Sequence, residues 1–404
     1  MIKKIAYILV ICLLFGAVAT MVSCGKPNGT SDESSSVTGD ASESTSESAT
    51  DSDSESVSDT ESDTESDTES DTESDTASDT ESDTESDTES DTVSSTEPEV
   101  IKSIDLYIIA GQSNAAGYTN INEVTLASLW SGYKNGSENV LYRGSAEYTN
   151  NVNTPNVSTG AKIVKYWANA KAGQGRSTSC MGAEVGMAAK LSSTYYQDDN
   201  VCGIVKYAHG GTSIFNSTSG ENAANGNWVP PSYAAAKGWS YSKSGLTGRL
   251  YRNLIEEVKV SIERLELRGY NDINIKGVFW MQGESDRGNP SEYEVALKYF
   301  INDLREDLGE LVGEDLSGLA FMIGEISRTS GSTSASTVET NETFIAKQRE
   351  IASEMENVYV IASGQYEIDK TTGQDAWHWS TEPMFRIGEL VGQCILDNIL
   401  KYNQ

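Results

Sequence analysis

Residues 105–117 read Asp105-Leu-Tyr-Ile-Ile-Ala-Gly-Gln-Ser-Asn-Ala-Ala-Gly117, a short apolar run that stops at a glycine and continues into small and polar residues. The apolar part, Leu106 to Ala110, has the composition of a buried parallel strand. A strand that ends in this way places Ser113 at the carboxyl edge of a sheet, where open α/β folds bind their ligands. Ser113 can act there as a nucleophile, or it can simply cap the helix that follows. Only partner residues further along the chain decide between these two roles.

Short apolar runs alternate with amphipathic helical patterns from residue 101 onward. The predicted strands are Ile104–Ala110, Val201–Ala208, Ile273–Met281, Leu319–Ile326 and Val358–Ala362. The predicted helices are Gly182–Tyr195, Leu246–Leu267, Ser291–Leu308, Asn341–Met355 and Pro383–Leu400. This alternation predicts an α/β fold, a three-layer α/β/α sandwich of the flavodoxin-like kind with a five-stranded, mostly parallel sheet, in one domain over residues 101–404.

Two insertions interrupt the alternation. The first, Tyr118–Ser179, is rich in Asn, Gly, Ser and Thr. The second, Gly211–Ser244, contains four large aromatic residues, Trp228, Tyr233, Trp239 and Tyr241. If these aromatic side chains are exposed, they suit stacking on sugar rings. The alternative, that they pack the loop onto the domain, has equal support at this stage.

The charge of the chain is concentrated near its start. The formal net charge is −32, yet 26 of the 61 acidic residues lie between Pro27 and Val100, which contains no Lys or Arg. Within this segment the tetrad Glu-Ser-Asp-Thr recurs from Glu61 to Thr92. Such a segment has almost no apolar surface to bury, so residues 25–100 are predicted to be a disordered acidic linker. The absence of a basic block argues against a nucleic-acid partner.

Residues 1–24 have the pattern of an export signal. Lys3 and Lys4 precede an apolar run, and Ser23-Cys24-Gly25 follows it. A small residue, a cysteine and a glycine in this place resemble a bacterial lipobox, in which Cys24 becomes the lipidated N-terminus. We therefore expect a protein at the bacterial cell surface or outside the cell, held to the membrane only through a lipid on Cys24, with a plain secretory signal or an uncleaved anchor as the alternatives.

The remaining cysteines, Cys180, Cys202 and Cys394, are too few for a disulfide framework. The chain has neither a Cys-x-x-Cys nor a His-Glu-x-x-His pattern. The sequence thus predicts neither a metal nor a cofactor.

The chain has two histidines that can activate a serine, His209 and His378. Asp375 precedes His378 by three residues, so its carboxylate can turn back onto one ring nitrogen. That contact fixes the tautomer and stabilises the imidazolium that forms when the histidine takes a proton. His209 has no acid nearby in sequence and is the weaker candidate. Either histidine can instead have only a structural role in its loop.

Three further residues are candidates for the same site. Gly211 follows the second strand and can offer its N–H to a developing oxyanion, while Gln282 follows the third and can offer its side-chain amide. Glu284 lies two residues beyond Gln282. The alternative for Gln282 and Glu284 is that they only satisfy loop backbone groups.

Five motifs in order resemble the SGNH hydrolases, in their sialate O-acetylesterase and acetylxylan esterase branch, carbohydrate esterase family 6. They are Gly111-Gln-Ser-Asn-Ala-Ala-Gly117, Gly182-Ala-Glu-Val-Gly-Met187, His209-Gly-Gly-Thr-Ser-Ile214, Trp280-Met-Gln-Gly-Glu-Ser-Asp286 and Asp375-Ala-Trp-His378. Ala115 and Ala183 depart from the usual Met and Pro of the branch. The resemblance implies the SGNH fold, with Ser113 as nucleophile and His378 as base. It also implies that Gly211 and Gln282 donate to the oxyanion, and leaves Asp375 or Glu284 as the group that orients His378.

The predicted function is therefore removal of acetyl groups from glycans through an acetyl-enzyme, with an acetylated polysaccharide or oligosaccharide as the partner. Two alternatives remain open at the level of sequence. One is a non-catalytic glycan-binding module at the cell surface, and the other is an esterase for non-sugar acyl esters.

Overall fold

The computed structural model describes residues 101–145, 164–372 and 374–402. The predicted signal segment, Cys24 and the acidic linker lie outside these residues. None of the helices in the described part is both long and apolar enough to cross a membrane.

The described residues form nine strands and nine α-helices. The strands are β1 (Ser103–Gly111), β2 (Thr119–Asn120), β3 (Val140–Ser145), β4 (Val164–Asn169), β5 (Cys180–Met181), β6 (Cys202–Ala208), β7 (Asp272–Met281), β8 (Ala320–Gly324) and β9 (Val358–Ile361). The helices are α1 (Ser113–Ala116), α2 (Glu123–Leu129), α3 (Glu184–Ser192), α4 (Glu221–Asn225), α5 (Pro231–Lys237), α6 (Arg249–Glu266), α7 (Pro290–Val312), α8 (Ala335–Glu354) and α9 (Thr381–Cys394). All five predicted strands and all five predicted helices are present, with ends that differ by a few residues.

The main sheet has seven strands in the order β4-β3-β6-β1-β7-β8-β9, so the prediction of five strands was wrong. The two additional strands, β3 and β4, lie in the stretch assigned to the first insertion. Both mix apolar with polar residues, Arg143 and Ser145 in β3 and Lys165 and Asn169 in β4, so the sequence carries no continuous strand signal there. β4 pairs antiparallel with β3 at one edge of the sheet, and every other pair is parallel.

Alternate residues of β1 contribute to two separate hydrophobic cores. Leu106 and Ile108 pack on one face of the sheet with α6, α7 and α8, whereas Tyr107 and Ile109 pack on the other with α3 and α9. Because successive side chains of a strand point to opposite faces, a strand with apolar residues at every position must be covered on both sides. This confirms the predicted three-layer α/β/α arrangement.

Helices α3 and α9 meet through glycines. A Cβ on Gly186 would lie 1.9 Å from the Phe385 carbonyl oxygen, and a Cβ on Gly388 would lie 2.1 Å from the Ala183 carbonyl oxygen. Any larger residue at either position would force the two backbones apart. This close contact fixes the start of α9, and with it the loop that precedes the helix and contains His378.

The second insertion is packed onto the domain. Trp228 and Tyr233 are fully buried, and Trp239 and Tyr241 pack against the same core. Trp228 stands edge-on to Trp280 of β7, with ring centroids 5.2 Å apart. Of the two alternatives that the sequence left open for these aromatic residues, the structure shows packing onto the domain.

Candidate active site

Loops that follow three adjacent strands meet at the carboxyl edge of the sheet. β1 lies between β6 and β7, and the chain builds one side of the sheet before the other, so this edge is a topological switch point. Gln112 and Ser113 follow β1, Gly210 and Gly211 follow β6, and Glu284 follows β7. As predicted, Ser113 lies at this edge.

A cavity of about 400 Å³ opens between these loops. It is lined by Gln112, Ser113, Tyr118, Gly210, Gly211, Glu221, Glu284, Ser285, Trp377 and His378. The structure thus brings Ser113, His378, Gly211 and Glu284 to one cavity, from segments up to 265 residues apart in sequence. Neither Asp375 nor Gln282 is among the lining residues. Asp375 contacts the His378 ring.

Ser113 is the first residue of α1, a single turn that ends when Gly117 N–H donates to the Ser113 carbonyl. Its side chain lines the cavity although the residue is only 8% exposed. The Ser113 hydroxyl makes no hydrogen bond to any of the described residues. It is therefore available to a partner that enters the cavity.

His378 is held by Asp375 and by Tyr118. Nδ1 of His378 lies 2.7 Å from Oδ2 of Asp375, while Oδ1 of Asp375 accepts hydrogen bonds from the N–H groups of Trp377, at 2.8 Å, and His378, at 3.1 Å. The imidazole stacks on the Tyr118 ring at a centroid distance of 4.8 Å. With Nδ1 engaged by a carboxylate, Nε2 is the nitrogen left for proton transfer.

The surroundings of His378 favour its neutral form. Burial disfavours the imidazolium and lowers the pKa of His378, although the Asp375 carboxylate opposes this. Arg176, whose guanidinium carbon lies 4.3 Å from the Tyr118 ring centroid, lowers the pKa of His378 further. Burial also works against the Asp375 carboxylate, but the N–H donors of Trp377 and His378 and the imidazole outweigh it, so the pKa of Asp375 is lowered. A neutral imidazole beside an ionised carboxylate is the state that a general base requires.

Glu284 faces the cavity but is held by Asn114 rather than by His378. Asn114 Nδ2 donates to Glu284 Oε1 at 2.8 Å and to the Trp377 carbonyl at 3.2 Å. Burial raises the pKa of Glu284. Asn114 thereby connects the turn after β1 to the turn after β7 and to the loop of His378. Between the two candidates that the sequence left open, Asp375 is the one in contact with the His378 ring.

Gly211 adopts a left-handed conformation, with φ of +67°, and lines the cavity. A Cβ at this position would come within 2.9 Å of Glu221 Cγ. Both the backbone angle and the neighbouring side chain therefore require glycine. The backbone of residue 211 therefore faces the cavity without a side chain to cover it.

The structure gives Gln282 a place different from the predicted one. Gln282 is fully buried, and its Nε2 donates to the Thr212 carbonyl at 3.0 Å and to Asp286 Oδ2 at 2.6 Å. An amide has two N–H hydrogens, and both are engaged by these acceptors. In this geometry no N–H of the Gln282 side chain is left to point into the cavity, and the oxyanion role stays a prediction.

Asp286 completes this buried network. Besides Gln282, its carboxylate accepts from the Ser213 hydroxyl and from the Ile214 N–H at 2.9 Å. Burial raises the pKa of Asp286 to about 6, even though its donors favour the ionised form. The network fixes the Gly-Gly-Thr-Ser loop against the turn after β7, so Gln282 and Asp286 shape the cavity without lining it.

His209 does not line the cavity. It is 4% exposed, and its Nδ1 approaches the Gly210 carbonyl at 3.4 Å. Burial lowers the pKa of His209. This leaves His378 as the histidine of the cavity.

Gln112 is a cavity residue that the sequence analysis did not single out. Its Oε1 accepts from the N–H groups of Gly283, at 3.5 Å, and Ser285, at 3.4 Å. These long contacts hold the turn after β7 against the turn after β1. The sequence feature that could have identified Gln112 as a cavity residue is its position directly before Ser113.

One group of three carboxylates in the described part has a spacing compatible with a metal ion: Glu294, Glu350 and Glu354. Lys298 forms ion pairs with Glu294 and Glu354, and Lys347 forms ion pairs with Glu294 and Glu350. These two lysines offset two of the three negative charges and hold the carboxylates together without a metal. The group lies on α7 and α8 and lines no part of the cavity.

A profile of one protein family, described as carbohydrate esterase, sialic acid-specific acetylesterase, matches residues 103–397. The chain belongs to this family. Membership confirms the resemblance carried by the five ordered motifs. It makes the protein a carboxylic ester hydrolase of acetylated carbohydrates, and the esterase segment coincides with the described domain.

Solved structures similar to this one include three proteins. A protein from Arabidopsis thaliana is 19% identical, with 73% of this chain and 98% of that chain covered and a TM-score of 0.46. A carbohydrate acetylesterase from Xanthomonas citri is 15% identical, with 74% and 56% covered and a TM-score of 0.44. NanS is 14% identical, with 75% and 98% covered and a TM-score of 0.45. No curated protein is significantly similar to this chain.

Proposed function

We propose that this esterase removes acetyl groups from glycans through an acetyl-enzyme formed on Ser113, with His378 as general base and Asp375 as the group that orients it. One observation carries the proposal. The free hydroxyl of Ser113 and an imidazole already bound to a carboxylate line the same cavity. A binding module has no need of this pair.

The chemistry follows from the contacts. His378 Nε2 takes the Ser113 proton while Oγ attacks the acetyl carbonyl, and Asp375 stabilises the imidazolium at Nδ1. The backbone N–H groups of Ser113 and Gly211 stabilise the oxyanion. His378 then returns the proton to the departing sugar oxygen. A water activated by the same imidazole attacks the acetyl-enzyme, releases acetate and restores the Ser113 hydroxyl.

In this mechanism Gln282 acts indirectly, by positioning the loop that contains Gly211. Its hydrogen bond to the Thr212 carbonyl holds the residue next to Gly211, and so sets the direction of the Gly211 N–H. Glu284 likewise acts through Asn114, by holding the loop that contains Trp377. Neither residue is proposed to touch the reacting atoms.

The substrate class within acetylated carbohydrates is also a proposal. The family description favours O-acetylated sialic acid over acetylated xylan as the substrate to test first. Among the residues that line the cavity, the polar side chains of Glu221 and Ser285, beside the backbone of residues 210–211, can hydrogen-bond the hydroxyls of a sugar.

The decisive experiment measures acetate release and the acetyl-enzyme together. Purified protein is assayed on O-acetylated sialic acid, acetylated xylan and 4-nitrophenyl acetate, and the intact mass is recorded after rapid acid quench. We expect a mass increase of one acetyl group in the parent but not in Ser113→Ala, whose turnover should fall by about 10⁴–10⁶. Ser219→Ala, which alters an exposed hydroxyl, is the matched control. Full activity in Ser113→Ala would end the proposal.

We also propose that the protein is attached to the bacterial surface through Cys24. The support is the sequence alone: Lys3 and Lys4, the apolar run and the Ser-Cys-Gly that follows it. The acidic segment would then separate the esterase from the membrane.

A further inference from the structure

Trp377 has an exposed indole at the mouth of the cavity. It is 41% exposed and lines the cavity beside His378. Within the described residues the other large exposed hydrophobic side chains are Ile101, Val124, Leu267, Val295 and Tyr402, and none of them lines the cavity. A large apolar surface left in water at the entrance of a catalytic cavity indicates contact with a ligand.

The indole is held in place before any ligand arrives. The Arg287 guanidinium carbon lies 4.8 Å from the Trp377 ring centroid, and Arg287 Nη1 is itself anchored by the Ser330 carbonyl at 2.8 Å. Gly331 leaves room for the ring, because a Cβ there would come within 2.8 Å of the indole. Asn114 fixes the Trp377 carbonyl. A side chain fixed in this way loses little conformational entropy when it binds.

The other aromatic residue of the cavity is already engaged. The Tyr118 ring stacks on His378 and also carries the Arg176 guanidinium. Trp377 also carries a guanidinium, that of Arg287, but it keeps 41% of its surface exposed for a ligand. The polar groups of the same cavity, Glu221 and Ser285, can meet hydroxyls at the edge of a ring whose face lies on the indole.

We propose that Trp377 is the platform on which the pyranose ring that bears the acetyl ester stacks. This inference rests on the proposed function and names the part of the substrate that the site recognises. A pyranose has apolar C–H faces and a polar hydroxyl rim, which match an indole face beside polar groups. Trp377 is adjacent to His378, the residue that returns a proton to the departing sugar oxygen. The ring that contacts Trp377 is thus the one that carries that oxygen.

The test compares an acetylated sugar with an acetyl ester that has no ring. Trp377→Ala, Trp377→Phe and the parent are assayed on O-acetylated sialic acid, acetylated xylo-oligosaccharides and ethyl acetate. For Trp377→Ala we expect kcat/KM on the preferred acetylated sugar to fall about five- to tenfold, mainly through KM, with less than a twofold change on ethyl acetate. Trp377→Phe should recover most of the loss.

Tyr402→Ala is the matched control, because Tyr402 is 47% exposed but packs edge-on against Tyr195, away from the cavity. Tyr402→Ala should change neither the activity on acetylated sugars nor the activity on ethyl acetate. An equal loss on sugar and ethyl esters in Trp377→Ala would assign Trp377 to the positioning of His378 and overturn the proposal, as would no loss on either. Ethyl hexanoate is assayed alongside, and a larger loss on it than on sugar acetates would assign Trp377 to the acyl group, with the same consequence.

The two proposals can fail separately. A parent that hydrolyses ethyl acetate but no acetylated sugar would refute the glycan function together with the sugar platform. A parent active on sugar acetates with an unchanged Trp377→Ala would refute the platform alone.

Discussion

Asp375 Oδ2 lies 2.7 Å from His378 Nδ1, while Oδ1 of the same carboxylate closes the turn through the Trp377 and His378 N–H groups. One side chain thus fixes the backbone of the loop and the orientation of the ring that the loop presents. The carboxylate is separated from the ring by three residues of sequence, so the contact is local. The Asp375 side chain is 55% exposed, which reduces its electrostatic effect but leaves its geometric effect intact.

The first prediction concerns this contact. Asp375→Asn should lower kcat on 4-nitrophenyl acetate by about 10²–10³, because an amide favours the wrong imidazole tautomer and cannot stabilise the imidazolium. KM should change little. Glu284→Gln should cost less than Asp375→Asn, since Glu284 contacts Asn114 and not the ring. The reverse ranking would make Glu284 the orienting acid.

The second prediction concerns pH. The pKa of His378 is lowered from its usual 6.5, chiefly by burial, and the imidazole acts as a base only when neutral. As pH falls through this lowered pKa the base becomes protonated, so kcat/KM should decline on the acid side with a midpoint below 6.5. A profile of kcat/KM against pH with ethyl acetate as the substrate measures this midpoint.

A companion variant tests one cause of that shift. Arg176→Gln removes a positive charge that disfavours the imidazolium, so the acid midpoint should rise. Lys259→Gln, which removes an exposed charge from α6, should leave the midpoint where it is. A fall of the midpoint in Arg176→Gln would contradict the charge arrangement described above.

The third prediction concerns the buried network under the glycine loop. Asp286→Asn replaces one acceptor oxygen by an N–H₂ group among the donors of Ser213, Ile214 and Gln282. Leaving buried donors unpaired should lower the free energy of unfolding by about 2–3 kcal/mol, measured by urea denaturation. Asp199→Asn, at an exposed carboxylate, should change it by less than about 0.5 kcal/mol.

The fourth prediction separates two roles for Gln282. If Gln282 only holds Thr212 and Asp286, then Gln282→Ala should lower both kcat and the free energy of unfolding, because a buried amide is lost and Asp286 loses a donor. A direct oxyanion donor would instead lose about 10²–10³ in kcat at unchanged stability. That second result would restore the role first predicted from the motif.

The fifth prediction concerns attachment. When the full chain is expressed in a bacterium fed labelled palmitate, the parent should incorporate label, and Cys24→Ser should not. Cys12→Ser, in the apolar run, is the control and should be labelled like the parent. Labelling that persists in Cys24→Ser would leave no support for the lipobox.

The local parts of the fold and of the site could be predicted from the sequence. β1, β6, β7, β8 and β9 each contain a run of consecutive apolar residues, and a strand buried on both faces leaves that signature. β3 and β4 have no such signature: β3 joins the sheet through pairing with β6, far away in the chain, and β4 joins it through β3. The Asp375–His378 pair was predictable for the same reason, because its partners lie within one turn of chain.

The amino-acid sequence fixes which residue types stand at the ends of the strands, and parallel strands bring their carboxyl ends to one edge, so Ser113 and Gly211 could be placed together. His378 follows no strand directly, and it was assigned to the same site through Asp375 and the family resemblance. Only the tertiary structure decided where the side chains point. It turned the amide of Gln282 towards Asp286, buried Trp228 and Tyr233, and left the indole of Trp377 in solvent beside His378. The direction of a side chain depends on neighbours contributed by distant segments, and no local pattern encodes those neighbours.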